Sequence, residues 1–185
     1  MKSLPRKFYC RDTCIVARDL LGKRIVRKIG SKQLSGIITE TEAYRFQDDP
    51  ASHAYRGITP RNQAMFGEVG KAYVYFTYGM YYCMNVVAKS KEFKAGAVLL
   101  RAIEPEKGIE TMLKNRNKSD IKNLTNGPAK LTQALVISKK HYGIDLVSNN
   151  EIFITQGMRL NQIKAKPRIG IKVAADRLWN FSVKI

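Results

Sequence analysis

Between residues 71 and 88 the chain reads KAYVYFTYGMYYCMNVVA, two runs rich in tyrosine, valine and phenylalanine separated by Gly79-Met80. Aromatic and β-branched residues suit a pleated strand, and glycine in the first central position suits a two-residue type II′ turn. The segment predicts a β-hairpin, which commits the chain to antiparallel pairing. Further strands are expected at residues 24–29, 34–44 and 97–104, with short ones near 152–155 and 168–174. Asp12 reads as the N-cap of a helix ending at Gly22. Helices are also expected over 106–116 and 128–137, the second with Pro128 in its first position. Residues 48–61, punctuated by Pro50, Gly57 and Pro60, read as a long loop of the kind that often carries function. Strand runs with interspersed helices, few in strict alternation, predict an α+β class and one domain over residues 1–185.

Charge narrows the choice of partner. Lys and Arg number 33 against 15 Asp and Glu, a net charge of +18. Solubility asks for a net charge of only roughly 2–8, so a polyanion is the first partner to consider, with nucleic acid ahead of a membrane. The excess sits at the two ends: residues 1–35 hold ten basic and two acidic groups, and 113–185 hold fourteen and four. Residues 36–112 hold nine of each, so carboxylates concentrate in the middle, bracketed by basic segments. Three cysteines, Cys10, Cys14 and Cys83, do not make a disulfide framework. The opening MKSLPRKFYCRD is basic without an apolar stretch, so an intracellular protein with no membrane span is expected. Phosphate-binding glycine loops, HExxH and paired zinc-type cysteines are all missing, and two histidines cannot build a three-histidine metal centre. No metal and no cofactor are expected; the chemistry falls to carboxylate, His53 or arginine.

Two stretches stand out. In ITETEAY, residues 38–44, the period of two places Glu40, Glu42 and Tyr44 on one face of a strand that runs into the loop holding His53. Two carboxylates beside an aromatic form a candidate acid–base site; a solvated strand face is the plain alternative. Five of the nine tyrosines fall between positions 73 and 82. Such a hairpin can simply pack, yet in a basic protein its tip, Tyr78-Gly79-Met80, can wedge into a duplex while tyrosine faces stack on an unstacked base.

Taken together, GIITETEAY (36–44), His53, TPRNQAMF (59–66), YVYFTYGMYYCMN (73–85), AVLLRAIEP (97–105) and NGPAKLTQAL (126–135) resemble the alkyladenine (3-methyladenine) DNA glycosylases of the mammalian type. The likeness is dense over 36–135, and PRIGI (167–171) and Trp179 extend it. The resemblance implies a single mixed domain with a curved antiparallel β-sheet, flanking helices and a protruding β-hairpin. It implies a metal-free hydrolase that flips alkylated or deaminated purines out of double-stranded DNA and leaves an abasic site. Residue by residue, it implies that Glu42 is the general base and that Arg101 helps to position the attacking water. Tyr44, His53 and Tyr75 would hold the flipped base, and Asn85 would crowd the 2-amino group of guanine. Tyr78, with Met80 beside it, would fill the gap left in the DNA. A monomer is expected, in the cytoplasm or nucleoid of a prokaryote or the nucleus of a eukaryote. Two rival readings differ by outcome: a non-catalytic basic nucleic-acid-binding module would release no base, and a lyase using a lysine Schiff base would leave a trappable adduct.

Overall fold

The computed structural model describes residues 2–185. In chain order its elements are α1 (Arg6–Tyr9), α2 (Thr13–Leu20), β1 (Arg24–Ile29), β2 (Lys32–Arg45), α3 (Gln63–Phe66), β3 (Ala72–Thr77) and β4 (Tyr81–Val87). They continue with β5 (Gly96–Lys107), α4 (Ile109–Arg116), α5 (Pro128–Ala134), β6 (Ile152–Thr155), β7 (Lys164–Lys166) and β8 (Asn180–Ser182). The strands form one antiparallel sheet in the order β3-β4-β5-β2-β1-β6, with β8 paired to β2 and β7 to β8. The class is α+β, in a single domain with a curved sheet.

Strand β2 is the spine. Along one edge it pairs with β5 from Ser35 to Arg45; along the other it pairs first with β1 and then, at Glu40–Glu42, with β8. Register shifts against β5 on both sides of Glu40 mark the point where the neighbour changes. A bulge there increases local twist, which is how so long a strand can serve two partners and curve. Gly36 permits the closest approach of β2 to β5: a Cβ on it would sit 2.6 Å from the Glu104 carbonyl oxygen.

The alternation of side chains divides the sheet into two faces. Ile38, Val74, Met84, Val86, Val98 and Leu100 join the main core, covered by Val16, Ala17 and Leu20 of α2 and by Met112 and Leu131 of α4 and α5. The other face carries a smaller cluster around Phe46, Met65, Tyr73, Val87 and Ala97. Asp12 caps α2 as expected, its carboxylate accepting from the Cys14 and Ile15 backbone N–H groups.

Four expectations need correction. The hairpin turns on Tyr78-Gly79 instead of Gly79-Met80: both have positive φ (52° and 68°), and the Met80 N–H donates to the Thr77 carbonyl at 3.3 Å. Positive φ at both central positions is the type I′ pattern, which fits strand twist, so tyrosine occupies a backbone state usually given to Asn or Gly. Residues 106–107 belong to β5, and the helix expected from 106 starts only after Gly108, at φ 75°. The helix expected over 128–137 stops at Ala134. Residues 168–174 form no strand; the C-terminal pairing falls to Lys164–Lys166 and Asn180–Ser182 instead.

Candidate active site

Glu42 lies on the face opposite the main core, and its side chain is fully buried. Four donors converge on it. The Tyr44 hydroxyl donates to Oε2 at 2.8 Å and Arg101 Nη1 to the same atom at 3.3 Å. The Ile169 backbone N–H (2.8 Å) and Asn180 Nδ2 (2.9 Å) donate to Oε1. A carboxylate accepts through both oxygens and donates through neither, so this cage is built for a fixed anion. Burial first, and then the Glu42 charge, push the Tyr44 phenol far above its ordinary value, which keeps it a neutral donor.

Glu40 follows on the same face, as the period of two requires despite the bulge. Asn180 Nδ2 donates to it at 2.9 Å, and Arg101 Nε and Lys166 Nζ pair with it at 3.5 and 3.2 Å. Arg101 thus bridges the two carboxylates, and its side chain is only 11% exposed. Of the pair, only Glu42 is wholly sealed from solvent.

Beside Glu42 opens a cavity lined by Tyr44, His53, Met65, Tyr73, Tyr75 and Asn85, with Ala51 and Ile171 at its margin. Strand pairing sets Tyr73 opposite Asn85, and Asn85 opposite Leu99, which in turn faces Glu42 across β5 and β2. Asn85 is buried, and its Nδ2 donates to the Tyr73 carbonyl at 3.0 Å. The His53 ring meets Tyr75 edge to face at 4.7 Å, and its Nδ1 lies 2.9 Å from the Tyr73 hydroxyl. Asn62 holds the loop that carries it, donating through Nδ2 to the carbonyls of His53 and Gly57 at 2.7 and 2.9 Å. The pocket wall is therefore four aromatic side chains, the Met65 thioether and one amide.

Packing against the tyrosines, and then the nearby Arg61 charge, lower the His53 pKa to about 4. Its outer edge is open to solvent, which moderates the shift, so the direction is what matters: the ring is neutral at neutral pH. A titration of the His53 ring by NMR is expected to give a midpoint clearly below the ordinary value of about 6.5. A midpoint at or above that value would mean a cationic ring and would remove the neutral wall.

The hairpin tip stands clear of the body, with Tyr78 88% and Met80 64% exposed. Of the residues singled out from the sequence, Glu40, Glu42 and Arg101 lie together, Tyr44, His53, Tyr75 and Asn85 line the cavity, and Tyr78 and Met80 stand at the hairpin tip. Sequence reasoning missed Asn180, the Ile169 N–H, Asp49 and Arg168. The only sequence signal for Arg168, Ile169 and Asn180 was position, within PRIGI or next to Trp179; Asp49 lies in the long loop that begins at Asp48. Among the described residues no cluster of His, Cys, Asp or Glu could hold a metal, and no helix is long and apolar enough to cross a membrane.

Comparison with known proteins finds relatives along almost the whole chain. Residues 7–185 match the methylpurine-DNA glycosylase family profile. A protein of Carboxydothermus hydrogenoformans, provisionally named a 3-methyladenine DNA glycosylase, is 49% identical over 183 residues, covering 98% of this chain and 95% of that protein. A relative from Clostridium acetobutylicum with the same provisional name is 45% identical over 194 residues, covering 98% and 94%. One from Methanocella arvoryzae is 43% identical over 185 residues, covering 98% and 92%.

Proposed function

The chain belongs to the methylpurine-DNA glycosylase family and is a DNA repair enzyme that hydrolyses N-glycosyl bonds; from that premise we propose that Glu42 activates the water that displaces a damaged purine flipped from duplex DNA. The observation that carries this reading is one buried, four-donor carboxylate held behind the wall of an aromatic pocket, hydrogen-bonded to its Tyr44 and next to Tyr75, His53 and Asn85 in the sheet and loop around it.

The steps follow from the chemistry of these groups. Basic residues at both ends of the chain attract phosphates, which makes binding salt-sensitive and largely independent of sequence. Tyr78 enters the stack, and a weakly paired lesion leaves it at a cost of a few kcal/mol, less than a sound pair. Stacking on Tyr44, Tyr75 and neutral His53 returns about 1–3 kcal/mol per base contact. An alkylated purine is cationic or electron-poor and gains more from electron-rich rings. Asn85 offers its amide to the base edge and crowds a purine that carries an extra exocyclic amine. As the base leaves, the sugar takes on oxocarbenium character. Glu42 stabilises that charge and accepts a proton from the attacking water, and Arg101 with Tyr44 fixes the carboxylate oxygen that does so. The substrates proposed are alkylated and deaminated purines: 3-methyladenine, 7-methylguanine, hypoxanthine and ethenoadenine. The enzyme acts inside the cell as a monomer.

Incubating the protein with methylated duplex DNA, with chelator present and no added metal, is expected to release free 3-methyladenine and leave abasic sites. Borohydride should trap no protein–DNA adduct, because water is the nucleophile. Tight salt-sensitive binding without released base would instead indicate a binding module, and a trapped adduct would indicate a lysine lyase.

A further inference from the structure

Helix α5 leaves its last turn through a residue that is poorly suited to the position. The Ile137 N–H donates to the Thr132 carbonyl at 2.8 Å and the Val136 N–H to the Gln133 carbonyl at 3.1 Å, a closure that puts Val136 in the left-handed region at φ 53°. Glycine normally takes that place, because a Cβ, and above all a branched one, crowds the backbone there. Of the six non-glycine residues with positive φ among the described residues, Val136 alone is β-branched. Core packing does not demand it either, since the side chain is 42% exposed.

What surrounds it gives a reason for it. Val136 lines a surface cleft together with Met80, Tyr81 and Tyr82 of the hairpin. Helix α5 is tied to that hairpin by the Thr132 hydroxyl, which donates to the Tyr82 carbonyl at 2.7 Å. The other bulky residue held at positive φ, Tyr78, stands at the same hairpin's tip. Residues 121–144 contain four lysines and no carboxylate, and Lys139 and Lys140, just past Val136, are exposed. Apolar side chains in this cleft, with Lys139 lining the neighbouring cleft on the other side of Tyr82, complement a nucleic-acid backbone, whose sugars are apolar at the edge and whose phosphates are anionic.

We propose that Val136 is a DNA-contacting residue: with Met80 it forms an apolar shelf that receives deoxyribose edges beside the wedge, and Lys139 and Lys140 take the adjoining phosphates. The inference rests on the reading of Tyr78 as the wedge of a DNA glycosylase. Strain that glycine would relieve is retained because the side chain is needed on the bound duplex.

The test uses the full chain and a duplex carrying a tetrahydrofuran abasic-site analogue. Val136→Gly is expected to raise the melting temperature by roughly 2–4 °C, by relieving the left-handed strain. The same variant should weaken duplex binding roughly 3–10-fold, from the apolar area it no longer buries. Val136→Ala, which keeps a Cβ but loses the methyls and the branching, should weaken binding to a similar extent with a smaller thermal gain than Val136→Gly. Wild-type affinity in either variant overturns the inference, since a loss in Val136→Gly alone would trace to a loosened backbone. If wild type releases methylated base while both variants bind normally, the glycosylase reading stands and the role of Val136 falls. If wild type releases no base, the reading itself has failed.

Discussion

Replacing Glu42 by glutamine is expected to slow single-turnover base release from methylated duplex DNA by about 10²–10⁴-fold, the usual contribution of a positioned general base. The substitution keeps shape and removes the charge. It also disturbs the cage: an amide NH₂ must face either Tyr44 and Arg101 or the Ile169 N–H and Asn180, so donors meet donors. Turning the Tyr44 hydroxyl relieves part of this, and the remaining mismatch costs about 1–3 kcal/mol of stability. Thermal melting measured alongside the kinetics separates the two effects, because a folded variant that still binds duplex has lost rate after binding and not through unfolding. Duplex binding should be preserved, or tightened by removal of a negative charge close to the DNA. Base release at the wild-type rate would move the assignment to Glu40, which shares Asn180 and Arg101 with Glu42.

The parts of this site that could be read in the sequence are those encoded locally. Period-two alternation in ITETEAY sets Glu40, Glu42 and Tyr44 on one face of a strand, and in the sheet Tyr44 does reach Glu42; Tyr75 was implied only by the family resemblance. Tyr78 and Met80 could be read as a tip because Gly79 marks a turn. The type of turn could not, because tyrosine at φ 52° is imposed by the twist of the paired strands and not by its own preference. The remainder of the Glu42 cage comes from far along the chain. Asn180 and the Ile169 N–H reach it across 138 and 127 residues, and nothing near them marks them as ligands. In residues 168–174, RIGIKVA, Ile169, Ile171 and Val173 alternate with other residues, a pattern that favours a strand. In the fold Arg168 is instead drawn beneath Tyr44, and the backbone beside it is committed to a side chain and not to a ladder. β5 outruns its expected end because Pro105 sits opposite Gly36 beside a register shift, where a missing N–H is tolerated.

Breaking the Asp49–Arg168 pair is expected to be the most destabilising single change near the site. Both side chains are fully buried, and the guanidinium forks onto the carboxylate, Nη1 at 2.6 Å from Oδ2 and Nη2 at 2.7 Å from Oδ1. Nη1 also donates to the Ala43 carbonyl at 3.0 Å, and the guanidinium lies between the rings of Tyr44 (4.7 Å) and Trp179 (5.2 Å). Arg45 and Arg177 cover Trp179 as well, at 4.7 and 4.5 Å. Arg168→Ala leaves the Asp49 carboxylate buried without its cation, which costs about 3–5 kcal/mol. For a chain of this size that lowers the melting temperature by roughly 6–20 °C. The functional loss should exceed what unfolding explains, because Arg168 supports the outer face of Tyr44 and its neighbour Ile169 supplies the N–H on Glu42. At a temperature where both proteins are folded, base release should therefore fall further than duplex binding does. Replacing both partners with apolar residues of similar size tests the cause: the double variant should be more stable than Arg168→Ala, since no lone charge remains buried, yet release base no faster. Recovery of stability and rate together would make the pair a purely structural tie. Recovery of stability alone would place it in the machinery that holds Tyr44 and Glu42 in register.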